Sequence, residues 1–282
     1  MTITRDRSDL CPGVFRPWPA DDGALVRLRP TGGLLPTAAL LDLVGVAETY
    51  GDGRVHLTSR ANLQLRGLPL EDGGVPDRVV AAIEATGLLP SRTHELVRNI
   101  MVSPLSGISG GRASLRPVAA ELDRRLCEDA RLSELPGRFL FVLDDRGDLL
   151  ERRLDLGAVA VNGAAGQLRI GSHGWGAVLP LTKVAAALVE LAHRFLDVRG
   201  SGAEAPWHVD ELDVPLEPPC ARYPLTEPVE PPLTAGPVAG GTHHVAPDGA
   251  VDRSLAERVA AGSDVVVVTP WRGLLVPAGP ER

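Results

Sequence analysis

The residues Val55 to Arg66, VHLTSRANLQLR, alternate without a break. Val55, Leu57, Ser59, Ala61, Leu63 and Leu65 are small or apolar, while His56, Thr58, Arg60, Asn62, Gln64 and Arg66 are polar. A period of two predicts a strand or strand pair with one buried face. The other face carries guanidinium, amide, imidazole and hydroxyl groups and no carboxylate, a set suited to gripping an anion rich in carboxylates. Arginine recognises such groups with a planar, bidentate fork. An ordinary solvated sheet face alternates in the same way.

Other candidates for chemistry are sparser. Lys183 is the only lysine, so arginine is simply the basic residue of this chain and no single Arg stands out by type. Cys11, Cys127 and Cys220 are far apart, with neither a CxxC pair nor a histidine at ligand spacing. They cannot by themselves ligate a four-cysteine cluster. His243 and His244 are neighbours in a predicted strand and point to opposite faces, which argues against chelation. Asp144 and Asp145 precede Arg146-Gly147 and read as turn formers. Ser103-Pro104-Leu105-Ser106-Gly107 could offer backbone N–H groups to a carboxylate. No nucleophile-base-acid triad is readable.

The elements that must position these groups follow from periodicity. A chain of 282 residues with 44% hydrophobic residues has room for two ordinary domains or for a duplicated one. Its net charge of −7 argues against a general nucleic-acid surface. No apolar run reaches membrane-spanning length, and sparse cysteines without a signal peptide point to a soluble, cytoplasmic protein. Ala24 to Arg29 reads as a strand, and Pro36 opens a helix that Gly51 ends. The alternating segment follows, then a helix from Pro76 to Thr86. Much later the order repeats: strand Thr242 to Ala246, helix Asp252 to Ala261 capped by Asp252, strand region Asp264 to Val276. Thr58 and Arg60 are answered approximately by Thr269 and Arg272, and the second copy lacks a counterpart to the Pro76 to Thr86 helix. Between the copies, Arg98 to Ser103 and Arg138 to Leu143 read as strands. Val118 to Ala130 reads as a helix that places Cys127 in the core, with two short strands and a helix from Thr182 to Val198 after it. The expected divisions are 18–88, 89–213, a Pro-rich linker 214–237, and 238–282.

Five segments, DDGALVRLRPTGGLL, HLTSRANLQLRGL, HELVRNIMVSPLSG, LPGRFLFVLDD and TPWRGLLVP, together resemble the nitrite/sulfite reductase family, most of all its precorrin-3B synthase branch of cobalamin biosynthesis. The resemblance implies an α+β fold of duplicated ferredoxin-like half units flanking a central α+β domain that holds a four-iron cluster and, in the assimilatory reductases, siroheme. It places the family's anion-binding basic residues on Arg60, Arg98 and Arg138. With Asn62, Gln64 and Arg66 these form the candidate anion- or tetrapyrrole-binding set. A second basic position of the reductases is Leu140 here, which argues against sulfite or nitrite, since a small anion needs concentrated positive charge. The family places its cluster cysteines after the second half unit, where this sequence stops. The resemblance therefore implies 4Fe-4S and haem-type iron centres whose cluster cysteines this chain lacks.

Two functions are expected from this. One is an oxidoreductase of the precorrin-3B synthase type acting on a carboxylate-rich tetrapyrrole. The other is a non-catalytic tetrapyrrole-binding or partner subunit, with a second protein supplying the cluster region. Neither involves nucleic acid or a membrane.

Overall fold

A computed structural model describes residues 9–202, 204–224 and 230–278. The chain forms two compact units. One comprises residues 12–95 and 232–282, the other residues 1–11 and 96–231.

In the first of these, the chain opens with β1 (Trp18–Ala20), β2 (Gly23–Leu28) and β3 (Leu34–Pro36), which leads directly into α1 (Thr37–Tyr50). Pro36 is extended and cannot itself continue a helix backwards, so the helix begins one residue later. Gly51 ends it, donating its N–H to the Ala47 carbonyl at 2.8 Å. Then come β4 (Val55–Leu57), β5 (Leu63–Leu68) and α2 (Asp77–Ala85). The alternating segment is therefore a strand pair, with His56 opposite Gln64 and Leu57 opposite Leu63.

The second unit contains, in chain order, β6 (Ile100–Val102), α3 (Arg116–Glu128), β7 (Phe141–Asp144), β8 (Leu156–Ala160), β9 (Ala165–Ile170), β10 (Gly174–Pro180) and α4 (Leu181–Arg199). Its sheet runs β10-β9-β8-β7-β6. The pairs β6–β7 and β7–β8 are parallel and the rest antiparallel. Leu122 and Leu126 of α3 and Leu188 and Phe195 of α4 share one buried cluster with Phe139 and Phe141. Phe139 stacks at a tilt on Phe141 and on Phe195, at 5.2 and 4.9 Å between centroids. Each such ring or leucine withdrawn from water contributes roughly 1.5–3 kcal/mol. Cys127 is only half-buried, a departure from the core position its helical spacing suggested.

The chain then returns to the first unit with β11 (Gly236–Val238), β12 (Gly241–Val245), β13 (Ala250–Val251), α5 (Arg253–Ala260), β14 (Val265–Thr269) and β15 (Gly273–Pro277). The two half units exchange strands: one sheet runs β1-β2-β5-β4-β13 and the other β11-β12-β15-β14-β3. Val26, Leu63 and Leu65 of the first copy share a single core with Val266, Leu274 and Val276 of the second. Helix α5 is capped by the Asp252 carboxylate, which accepts from the Leu255 N–H at 2.8 Å. Helix α2 has no counterpart among the described residues of the second copy.

Hydrogen bonds fix the correspondence between the copies more closely than the sequence did. In the β4–β5 turn, Ala61 N–H donates to the Thr58 carbonyl and Asn62 N–H to the Thr58 hydroxyl. In the β14–β15 turn, Arg272 N–H donates to the Thr269 carbonyl and Gly273 N–H to the Thr269 hydroxyl. Ala61 and Arg272 both hold positive φ, 56° and 54°. Arg272 therefore answers Ala61, and the position of Arg60 is taken by Trp271.

Candidate anion-binding site

The polar face of β4 and β5 is less bare of acids than its own sequence. Gln64 sits opposite Arg27 of β2, and its side-chain oxygen accepts from Arg27 Nη2 at 2.8 Å and Nε at 3.2 Å. Arg66 pairs with Asp22 at 3.2 Å, and this guanidinium, through its hydrogen bond, holds the Asp22 carboxyl below the usual carboxylate range. His56 meets Asp52 at 2.6 Å. Both carboxylates arrive from turns outside the alternating segment. The face thus carries acids that Val55–Arg66 lacks.

Arg60 and Asn62 occupy the tip of the β4–β5 pair. Thr58 builds this tip, its hydroxyl accepting from the N–H groups of both Arg60 and Asn62. Asn62 is buried and Arg60 half-buried.

In the other unit, Arg98 and Arg138 have different fates. Arg98 makes a bidentate pair with Asp123 of α3, at 2.7 and 2.9 Å, and its side chain is 6% exposed. A forked pair this well enclosed already meets the Arg98 charge. Burial, with Asp123 adding to it, pushes the nearby Cys127 thiol up, so that thiol is not activated. Arg138 is exposed, with its guanidinium 4.6 Å from the centre of the Trp207 ring.

Two residues that sequence reasoning missed shape this region. Asn99 donates to the carbonyls of Leu96 and Gly137, which ties the Arg98 segment to the Leu135–Phe139 loop. Asp155 is fully buried; one of its oxygens accepts from Leu140 N–H at 2.8 Å and the other from Val209 N–H at 3.0 Å. Those bonds lie two residues beyond Arg138 and two beyond Trp207, so one carboxylate sets both partners of the cation–π contact. Asp155 looks like any polar strand-edge residue in sequence, and no local pattern marks it. Leu140 is buried at 3% exposure, so its place in the loop is a core place.

In the loop after β6, several N–H groups are already engaged by the backbone. Ser103 N–H donates to the Leu143 carbonyl, Ser106 N–H to the Ser103 carbonyl, and Ile108 and Ser109 N–H to the Leu105 carbonyl. Asp144 is a turn former as expected, accepting from the N–H groups of Arg146, Gly147 and Leu149. Asp145 departs from that reading. It is fully buried, and burial pushes its pKa up to about 6 against the lowering influence of the Ser106 hydroxyl and the Arg146 guanidinium.

Cys11, Cys127 and Cys220 sit on separate segments, and among the described residues no three His, Cys, Asp or Glu side chains converge as a metal site. The residues present do not fit a four-iron cluster. Among the described residues, no helix is long and apolar enough to cross a membrane.

Residues 19–73, which run from β1 through the β4–β5 pair, match the nitrite/sulfite reductase ferredoxin-like half domain. This half unit belongs to that family. The chain is 32% identical over 167 residues to a precorrin-3B synthase of Sinorhizobium sp, a match covering 57% of this chain and 33% of that protein. It is 34% identical over 134 residues to a ferredoxin–nitrite reductase of Leptolyngbya laminosa, covering 45% of this chain and 26% of that protein. Matches thus span a third or less of these relatives. The solved structure of the NirA protein of Mycobacterium tuberculosis superposes with a TM-score of 0.70 at 20% identity, over 92% of this chain and 54% of that one. That likeness establishes the duplicated α+β fold.

Proposed function

We propose that this chain serves an oxidoreductase reaction of the precorrin-3B synthase type in cobalamin biosynthesis, and that its own part is to grip the carboxylates of an anionic tetrapyrrole. The observation that carries this reading is the placement of Arg60 at the tip of a hairpin inside the matched half domain. A half-buried guanidinium on a rigid turn loses little freedom when it forks onto a carboxylate. Arg138, exposed and braced against Trp207, supplies a second such group. Arg66 and Gln64 keep the hairpin in register through Asp22 and Arg27 and back the tip rather than grip. Arg98, already paired with Asp123, positions its loop. The setting would be the cytoplasm.

A second reading is favoured by the dispersed thiols: a tetrapyrrole-binding or partner subunit that is not itself catalytic, with cluster ligands coming from another protein. Both readings share the carboxylate grip. Titrating the full chain with an octacarboxylate porphyrin, followed by its visible absorption, tests it. Arg60→Ala and Arg138→Ala should each weaken binding by about 1.5–3 kcal/mol if the bonds are charge-assisted and desolvated. Equal binding by the wild type and both variants would leave only a solvated face. Iron and sulfide analysis after anaerobic purification separates the two readings, because near-stoichiometric cluster on this chain alone would refute the second.

A further inference from the structure

A basic cleft lies wholly within the unit of residues 96–231, and none of the residues lining it is among the anion-binding set assigned above. It has a volume of about 490 Å³ and is lined by Arg152, Arg153, Arg169, His173, Trp175 and Arg222 among others. Its floor is the cross-strand pair of Arg169 on β9 and Trp175 on β10. The Arg169 guanidinium lies 4.7 Å from the Trp175 ring centre and that of Arg222 5.2 Å from it.

Both arginines are held in place. Arg169 is only 4% exposed; its terminal nitrogens donate to the carbonyls of Ser172 at 2.6 Å and Leu150 at 3.4 Å, and its Nε has no acceptor. Carbonyls hold the group but do not neutralise it. Burial, with Arg222 adding to it, lowers the Arg169 pKa despite the pull of Asp144, Glu151 and Asp210. Arg222 belongs to the Pro-rich segment, and a buried amide fixes it. Gln167 donates to the Ala221 carbonyl at 2.8 Å and accepts from Tyr223 N–H at 2.7 Å, while Cys220 N–H donates to the Trp175 carbonyl at 2.7 Å. Residues on both sides of Arg222 are thus clamped over the cleft.

The acids at the rim do not cancel this charge. Asp210 already accepts from the Ser172 N–H and hydroxyl and lies 3.3 Å from His208. Glu151 is the other carboxylate in the lining. Asp144, Glu151 and Asp210 act on Arg169 only from a distance, with no direct ion pair, and neighbouring Arg222 opposes them. An incoming oxyanion bonded directly to the guanidinium would offset its burial. We infer that this cleft binds a small, multiply charged oxyanion, a polycarboxylate or a phosphate ester, between Arg169 and Arg222 beside Trp175.

Trp175 provides the readout. At constant ionic strength, citrate and pyrophosphate are titrated separately into the full chain, with tryptophan fluorescence and calorimetry recorded in parallel. A saturable fluorescence change should appear in the wild type and vanish in Trp175→Phe. Arg222→Gln, at an exposed position, and Arg169→Gln should each weaken binding about tenfold or more, with Tm recorded for each. Tighter citrate points to a polycarboxylate and tighter pyrophosphate to a phosphate ester. Arg60→Ala should bind both probes as the wild type does, which keeps this result separate from the porphyrin titration. A response that tracks ionic strength without saturating, wild-type affinity in Arg222→Gln, or loss of binding in Arg60→Ala would each overturn the inference.

Discussion

The two half units follow the same path with opposite chemistry on one face. Val55, Leu57, Leu63 and Leu65 of the first answer Val266, Val268, Leu274 and Val276 of the second, and all eight lie in one core. On the other face, the row His56–Gln64–Arg27 crosses three strands of the first copy, and the row Val267–Leu275–His243 crosses the same three of the second. The first row is half-buried and hydrogen-bonded side chain to side chain. The second is buried: Val267 and Leu275 are fully enclosed and His243 is 1% exposed. The core positions hold the duplicated fold, and the opposite face is free to diverge. One copy has become a polar surface and the other a dry one.

Sharing one core makes the copies interdependent, and the largest effect should come from separating them. Removing residues 232–282 deletes β13 from the edge of the first sheet and uncovers the apolar faces of Leu40, Val44 and Leu63. An unpaired edge and an exposed core are both aggregation hazards. The shortened chain should lose several kcal/mol, more than a single core truncation of about 2–5 kcal/mol. It should unfold at a lower temperature and aggregate in size-exclusion chromatography. A monomer with unchanged Tm would mean that each copy stands alone.

A paired exchange sharpens the contrast between the two rows. Leu275→Gln places an amide in a dry row and should cost about 2–4 kcal/mol by urea unfolding, from lost burial and an unsatisfied polar group. Gln64→Leu at the matching position removes only its bonds to Arg27, which is half-buried and can rehydrate. Its cost should be about 1 kcal/mol or less. Equal costs would show that the two faces are not different environments.

Much of this was legible in the sequence, for a physical reason. Alternation and helical spacing report which side of an element is dry, so the strand pair Val55–Arg66, the helices after Pro36 and Asp252 and the repeat itself could all be read. The exact match between copies could not. It depends on the Thr58 and Thr269 hydroxyls and on positive φ at Ala61 and Arg272, and none of these has a local sequence signature. Nor could strand exchange, since β3 and β13 are three and two residues long. The candidate site was read by residue type, but pairing is set by tertiary neighbours. Asp22, Asp52 and Asp123 lie outside the motifs they complete, so the sequence showed the bases without their acids.

The dry row should also respond to acid in a way the polar row does not. His243 is enclosed, with its Nδ1 facing the Thr234 carbonyl at 3.1 Å and its Nε2 the Thr269 hydroxyl at 2.9 Å. The neutral ring suits this arrangement: Nδ1–H donates to the carbonyl and Nε2 accepts from the hydroxyl, which in turn accepts from Gly273 N–H. Burial lowers the His243 pKa below its ordinary value, and neighbouring His244 lowers it further, against the pull of the Thr234 carbonyl. Below an ordinary histidine pKa of about 6.5, the unfolded chain therefore takes up a proton that the folded chain refuses. The stability contributed by the neutral ring is fully present above that pH and is lost as pH falls toward the folded-state value. Urea unfolding at pH 7.5 and at pH 5 should show the wild type losing stability on acidification. His243→Gln, which keeps a polar side chain but cannot titrate, should be less stable at pH 7.5 and lose less between the two. Arg27 stands at the same place in the first copy and holds its charge throughout, so Arg27→Gln should leave the pH slope unchanged. If both variants kept the wild-type slope, the acid response would come from other groups, and the two rows would differ in polarity alone.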